Sequence, residues 1–213
     1  MYWSSKLAYV VGLITTDGSL SIDGRHINLT SKDIEQIELF ALILNLKNKI
    51  GTKRSGYAPQ NKYYQIQFGN VSFYRFLQNI GLTPNKTKTL GKLRIPDKHF
   101  ADFLRGHLDG DGCTYSYWDP RWKSSFMFYT VFMSASKRHL EWIRDKIYSF
   151  YRIEGKLSTH QKSMYHLRFA KNSSLVLIKK IYYKNPIPCL ERKYSKILKA
   201  LGIIDKQAGM LEW

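Results

Sequence analysis

Two aspartates, Asp17 and Asp111, stand 94 residues apart and close two runs of the same kind. The first run is Val10-Val11-Gly12-Leu13-Ile14-Thr15-Thr16-Asp17-Gly18, and the second is Leu104-Arg105-Gly106-His107-Leu108-Asp109-Gly110-Asp111-Gly112. Each stays largely apolar for about two helical turns and stops at Asp-Gly. Each places a glycine four residues before a small residue, Gly12 before Thr16 and Gly106 before Gly110. Residues i and i+4 share a helix face, so two such helices can approach closely along these faces. Packed side by side, their C-terminal ends meet and bring the two carboxylates together.

Such a pair opposes folding. Two carboxylates about 4 Å apart repel by about 4 kcal/mol at an effective dielectric of about 20, and the helix macrodipole disfavours negative charge at a C-terminus. A hard divalent cation removes the conflict, and Mg²⁺ takes oxygen donors while keeping waters. The last helical carbonyls, from Thr16 and Gly110, lack helical partners. The expected ligands are therefore Asp17, Asp111, Thr16 and Gly110, and the chemistry is phosphodiester hydrolysis. Mn²⁺ is expected to substitute, and Ca²⁺ to bind without cleavage. Asp-Gly is also an ordinary helix stop. For one motif alone that reading is as good, but its repetition on a basic chain favours the metal. Thr15 stands where the second motif has Asp109, which makes Asp109 a helix-terminal or secondary residue. The run Asp109-Gly110-Asp111-Gly112 is not a calcium loop, because Cys113 and Pro120 occupy positions where that loop needs acidic side chains.

Lys and Arg number 34 against 16 Asp and Glu, a formal net charge of +18. That balance favours a polyanionic partner, nucleic acid above all. With 44% hydrophobic and 15% aromatic residues the chain has the material for a packed core, which argues against disorder. Cys113 and Cys189 are too few and too far apart for a metal knuckle or a disulfide framework, and read as free thiols in a reducing compartment. The opening Met1-Tyr2-Trp3-Ser4-Ser5-Lys6 has no signal-peptide pattern, and no apolar run is long enough to span a membrane. The expected location is intracellular, in an organelle or a prokaryotic cytoplasm, with no membrane partner.

The elements that must position the aspartates repeat as well. After Gly18, Leu20, Ile22, Ile27 and Leu29 alternate with polar residues about the turn Asp23-Gly24, a half-buried hairpin. Ser31-Lys32-Asp33 opens a helix, with Ser31 or Asp33 as cap. A second hairpin is expected from Gly51 to Tyr57 and Lys62 to Phe68, then a helix over Val71 to Ile80 ended by Gly81 and Pro84. The second half has its motif helix over His99 to Gly110 and strands over Cys113 to Trp118 and Ser125 to Ser134. A helix follows over Ser136 to Tyr151, then strands Gly155 to His160 and Met164 to Phe169, a helix Ser173 to Tyr182, and a last helix Arg192 to Leu201 closing at Gly202. Two αββαββα halves make an α+β protein with two four-stranded antiparallel sheets. Helices on one face of each sheet leave the other to water or a ligand. Those wet faces carry residue types that hydrogen-bond base edges and phosphates, and β ribbons fit the major groove. The residues expected to meet nucleic acid are Ser19, Ser21, Asp23, Arg25, His26, Asn28, Lys53, Arg54, Gln65 and Gln67 in the first half. In the second they are Tyr115, Tyr117, Arg121, Lys123, Lys156, Ser158, His166 and Arg168.

At the two nine-residue motifs the chain resembles the LAGLIDADG homing endonucleases in their single-chain, two-motif form. The second copy matches well and the first more loosely, departing at Val10, Val11, Thr15 and Thr16; Thr16 is bulkier than Gly or Ala and would widen the seam. The resemblance implies a pseudo-symmetric monomer with saddle-shaped sheets that straddles a long double-stranded DNA target and cuts both strands across the minor groove. It implies that Asp17 and Asp111 bind metal, and that a lysine follows the last hairpin of each half. Lys86 and Lys193 look like that catalytic pair, with Lys88 and Arg192 as substitutes. The expected division is 1–84 for the first half, 85–98 for a basic linker and 99–213 for the second half. The chain begins Met-Tyr and ends Glu-Trp, without intein splicing ends, so it reads as free-standing, intron-encoded or otherwise mobile. Two rival readings use the same scaffold: a maturase whose partner is intron RNA, and a sequence-specific DNA-binding protein that does not cut.

Overall fold

The computed structural model describes residues 2–54, 62–160, 163–183 and 186–210. Residues 55–57 of the second expected hairpin, and the terminal Met1, Glu212 and Trp213, lie outside the described residues. The first half runs α1 (Ser5–Thr16), β1 (Gly18–Leu20), β2 (His26–Ser31), α2 (Ile34–Ile43), β3 (Gly51–Arg54), β4 (Lys62–Gly69) and α3 (Val71–Asn79). After a 3-10 turn over Asp97–His99, the second runs α4 (Phe100–Asp109), β5 (Gly112–Trp118), β6 (Phe126–Ser134), α5 (Lys137–Tyr151), β7 (Lys156–His160), β8 (Met164–Phe169) and α6 (Lys171–Ile181). The last helix is α7 (Glu191–Met210). The sheets are antiparallel and repeat one topology, β1-β2-β4-β3 and β5-β6-β8-β7. This is the α+β, two-sheet architecture expected of the two-motif chain.

Alternation in the strands decides which face packs. In β4, Ile66 and Phe68 are buried while Gln65 and Gln67 point away, and in β6, Phe126, Phe128, Thr130 and Phe132 are buried on the face toward the helices. The helix α1 begins at Ser4, whose hydroxyl accepts from the Leu7 N–H at 3.1 Å. Every residue from Leu7 to Thr15 is buried, as a helix must be when both halves of a molecule close around it. Leu82, Leu90, Leu93 and Ile95 are buried too, so the basic connector is packed against the core through its aliphatic residues.

Three elements differ from the sequence expectation. Ile22 is not on the buried face of the first hairpin: β1 stops at Leu20, and Ile22 is 86% exposed in the turn. Helix α6 starts at Lys171, two residues before Ser173. Helix α7 does not close at Gly202 but continues to Met210. Ile197, Ala200 and Ile204 continue one apolar stripe through the exposed glycine, which costs only about 1 kcal/mol of helix propensity against that packing. Near its end the Gln207 side-chain amide donates to the Ser124 carbonyl at 2.6 Å, in the loop between β5 and β6.

Candidate metal centre and nucleic-acid interface

The helices α1 and α4 touch backbone to backbone. A Cβ added at Gly106 would stand 2.1 Å from the Tyr9 carbonyl oxygen, and one at Gly12 would stand 2.4 Å from that of Phe103. Neither position has room for a side chain. Further down, a Cβ at Gly110 would lie 1.9 Å from Thr16 Oγ1 and 2.8 Å from Asp17 Oδ2. The bulk of Thr16 is therefore absorbed by the glycine opposite, and its hydroxyl folds back to the Leu13 carbonyl at 3.0 Å.

Asp17 caps α1 and donates its N–H to Leu13 at 2.9 Å. Its carboxyl, half-buried against Gly110, is pushed up to about 7 by burial first and by the charge of Asp111 second, while Lys193 and Lys86 pull it down. Asp111 sits at the exposed rim of the same seam, and its carboxyl is raised by partial desolvation against the pull of Lys193 and Lys86. The two aspartates thus share an electrostatic neighbourhood with each other and with both lysines. Asp109 turns the other way. Its Oδ2 accepts from Tyr9 Oη at 2.9 Å and from the Leu190 N–H at 2.7 Å. Burial, the largest influence, holds that carboxyl up at about 6. Asp109 therefore joins the two halves and the α7 approach.

Both lysines reach the seam by different routes. Lys86 is buried in a turn of the connector and donates to the Gly18 carbonyl at 2.5 Å. Burial brings its ammonium down to about 8, although Asp111 and Asp17 favour its charge. Lys193, in the first turn of α7, donates to the carbonyls of Leu108 (2.8 Å), Asp109 (2.7 Å), Gly110 (3.0 Å) and Gly112 (2.7 Å). It satisfies the chain end of α4 that the helix cannot satisfy itself. The Gly110 carbonyl, an expected metal ligand, is thus also held by an ammonium. Lys88 is exposed, and Arg192 pairs across the halves with Asp33 at 2.9 and 2.6 Å. A cleft of about 410 Å³ opens here beside Asp17, Gly110, Lys193, Arg192, Asp33 and Tyr63.

Among the described residues no three His, Cys, Asp or Glu side chains are grouped to hold a metal ion. The donors at the seam are two carboxylates, main-chain carbonyls and open space for water. That all-oxygen set suits a hard cation such as Mg²⁺ and does not suit zinc.

Strand register sorts the expected contact residues. On the first sheet Asn28 stands opposite both Ser19 and Gln67, Thr30 opposite Gln65, and Lys53 opposite Tyr63, all on the face turned from the helices. Ser21 and His26 join them around a groove of about 370 Å³. Asp23 and Arg25 lie at the exposed turn, where Asp23 accepts from the Arg25 and His26 N–H groups at 3.1 and 3.0 Å and contacts the His26 ring. Arg54 is the exception: it pairs with Lys62, on the other face at the sheet edge. On the second sheet Tyr115, Tyr117, Lys156, Ser158, His166 and Arg168 share one face by register. Arg121 and Lys123 are exposed in the β5–β6 loop, with the Arg121 guanidinium 3.2 Å from Asp119.

Several residues that build this site were not singled out from the sequence. Arg105 is fully buried in α4 and donates to Pro188 O, Ile181 O and Asp102 at 2.7 to 2.8 Å, anchoring the segment that leads to Lys193. Tyr129 lies opposite Tyr115, with ring centroids 5.0 Å apart. Its outward direction follows from the β6 alternation of Phe126, Phe128 and Phe132 against Met127, Tyr129 and Val131.

Residues 4–81 match the family model described as LAGLIDADG-like domain. Sequence comparison with curated proteins finds no match. Among solved structures the chain is similar to the homing endonuclease I-WcaI bound to its DNA recognition sequence, at 13% identity and TM-score 0.65 over 90% of this chain and 87% of that one. It is similar to I-DmoI in complex with DNA and Mn, at 16% identity and TM-score 0.56 over 85% and 98%. It is also similar to full-length DUF199/WhiA from Thermatoga maritima, at 14% identity and TM-score 0.59 over 100% and 67%. The first half thus resembles a LAGLIDADG-like domain, and the whole chain has the two-motif LAGLIDADG fold.

Proposed function

We propose that this chain is a monomeric, site-specific double-stranded DNA endonuclease that hydrolyses phosphodiester bonds with Mg²⁺. The fold is shared by proteins described as homing endonucleases and by DUF199/WhiA, so the fold alone does not carry this reading. The observation that carries it is the pair Asp17 and Asp111 at the foot of a glycine-lined seam, flanked by the buried ammonium of Lys86 and the half-buried one of Lys193. A binding protein has no use for two mutually repelling carboxylates held there. When bound, a divalent cation supplies an activated water and neutralises the leaving oxygen. Asp17 and Asp111 would hold it; the Gly12–Gly106 contact keeps the two helix ends together; Lys86 and Lys193 would place positive charge where the phosphate's negative charge grows. The net charge of +18 draws the duplex to the outer sheet faces.

The test is cleavage of a duplex library in Mg²⁺ by the wild type, Asp17→Asn and Asp111→Asn. The wild type cuts both strands of a defined target. Each variant binds the target with unchanged affinity and loses at least about a hundredfold in cutting rate. Selective duplex binding by the wild type with no nicking in Mg²⁺ or Mn²⁺ would favour the second reading, a DNA-binding protein that does not cut. One observation favours that alternative: Lys193 already occupies the Gly110 carbonyl.

A further inference from the structure

The two outer faces present different chemistry, and on the reading above they meet the two halves of one duplex target. The first face carries three side-chain amides, Asn28, Gln65 and Gln67, each half-buried or exposed on the groove side. An amide offers a donor and an acceptor together and pairs in bidentate fashion with the N6/N7 edge of adenine in the major groove. Register arranges these amides in two rows. Asn28 and Gln67 are direct cross-strand neighbours, and Gln65 lies opposite Thr30, two residues along. Two residues of strand span about 6.8 Å, which is about two base-pair steps at 3.4 Å each. The spacing of the amides therefore matches the rise of the duplex. Thr30 Oγ1 donates to Asn28 Oδ1 at 3.0 Å, which fixes the orientation of the amide and leaves one acceptor lone pair and both N–H donors for a base.

Among the described residues the second face has no amide in the matching rows. Its centre is a ladder of three tyrosines: Tyr115 and Tyr117 lie within 5° of parallel at 6.4 Å, and Tyr115 and Tyr129 within 19° at 5.0 Å. Ring faces are spent on each other, so edges and hydroxyls meet the outside. The Arg168 guanidinium lies over Tyr129, 5.5 Å from its ring centre, and Lys156 stands opposite Arg168 on β7. Tyrosine hydroxyls and a lysine ammonium hold phosphates and follow groove shape, whereas the Arg168 guanidinium, stacked on Tyr129, also matches the O6/N7 edge of a guanine.

We propose that recognition is divided unequally: Asn28, Gln65 and Gln67 specify adenines in the half-site under the first sheet, while the tyrosine ladder and Lys156 hold the other half-site mainly by backbone and shape, with Arg168 reading at most a single guanine there. The inference rests on the duplex-binding reading and is tested by binding alone. The full chain is equilibrated with a randomised duplex pool in Ca²⁺, and bound duplexes are sequenced for the wild type, Asn28→Ala, Gln65→Ala, Gln67→Ala, Lys156→Ala and Tyr129→Leu. The expected profile has one sharp and one shallow half-site. Each amide variant flattens adenine preference by about tenfold at one position of the sharp half and leaves the rest intact. Lys156→Ala weakens all sequences alike and lowers the salt dependence by about one phosphate contact. Thermal melts show that the variants are folded. Equal sharpness in both halves, or an adenine preference untouched by all three amide variants, overturns the division while leaving duplex recognition standing. A pool with no enriched duplex overturns the recognition reading itself, and this inference with it.

Discussion

In the first half the lysine beside the motif helix comes from a turn and reaches one carbonyl; in the second it comes from the first turn of α7 and reaches four. The same comparison runs through the seam. Thr15 and Thr16 bond back to carbonyls of their own helix, whereas Asp109 and Gly110 face partners outside theirs. In the core, the positions equivalent to Leu13 and Gln36 hold His107 and His139, stacked with ring centroids 5.3 Å apart. A duplicated fold thus keeps the backbone plan and the carboxylates, and lets the supporting chemistry diverge. The first motif is self-supporting. The second is supported by the chain that follows it, which is why it tolerates a glycine at its very end.

The sharpest way to break that comparison is to put a methyl into the seam. Gly106→Ala forces the Tyr9 carbonyl away and is expected to cost more than about 3 kcal/mol, whereas Gly202→Ala, exposed with open space around it, gains about 1 kcal/mol. Thermal melts of both variants decide it, and equal tolerance would refute a seam packed on bare backbone.

Acid should separate the two halves next. Burial holds His139 down at about 4, and His107 is lowered well below the ordinary value by burial and by His139. The ordinary value is about 6.5, so between that pH and about 4 the unfolded chain takes up a proton that folded His139 refuses. The His139 contribution is therefore constant above about pH 6.5 and falls by about 3 kcal/mol toward pH 4, opposed over the same range by Asp17 and Asp109, whose raised carboxyls take up protons in the folded chain before the unfolded one. Denaturant titrations of the wild type and His139→Phe across this range should diverge by that share, the wild type losing more as the pH falls. Gln36, the first-half counterpart, does not titrate, so Gln36→Ala leaves the slope unchanged.

The smallest of the three effects sharpens the contrast between the lysines. Lys193→Met strips an ammonium from the end of α4 and is expected to cost about 2 to 3 kcal/mol. Lys86→Met gives up one such bond and costs about 1 kcal/mol. Cleavage slows in both, but only the Lys193 variant should raise amide exchange at residues 108–112. Equal destabilisation would mean that the carbonyls of α4 find water as readily as they find Lys193.

Much of this was legible in the chain. The seam could be read because its signal is local: a glycine at i with a small residue at i+4 before Asp-Gly leaves few other structures. The sheet faces could be read because alternation fixes direction, so Gln65, Gln67, Tyr115 and Arg168 fell where expected. Local signals also misled. Ile22 fits the alternation but sits where the turn has already begun, and Gly202 resembles a stop until the apolar stripe beyond it is weighed. Arg54 lies one residue from Lys53 and therefore on the opposite face. Arg105 and Tyr9 were hidden for a deeper reason. Their partners are 76 and 100 residues away, and nothing in the composition of a nine-residue motif announces them.

The length of α7 ties two distant jobs to one rod. Lys193 stands near its start and Gln207 near its end, about 21 Å apart along the axis. One end knits the motif helix and the other is moored to the loop carrying Arg121 and Lys123. The β5–β6 loop and the carbonyls on either side of Asp111 are thus fastened to the two ends of one continuous helix. Shortening the chain at residue 202 would leave every seam contact in place and remove the mooring.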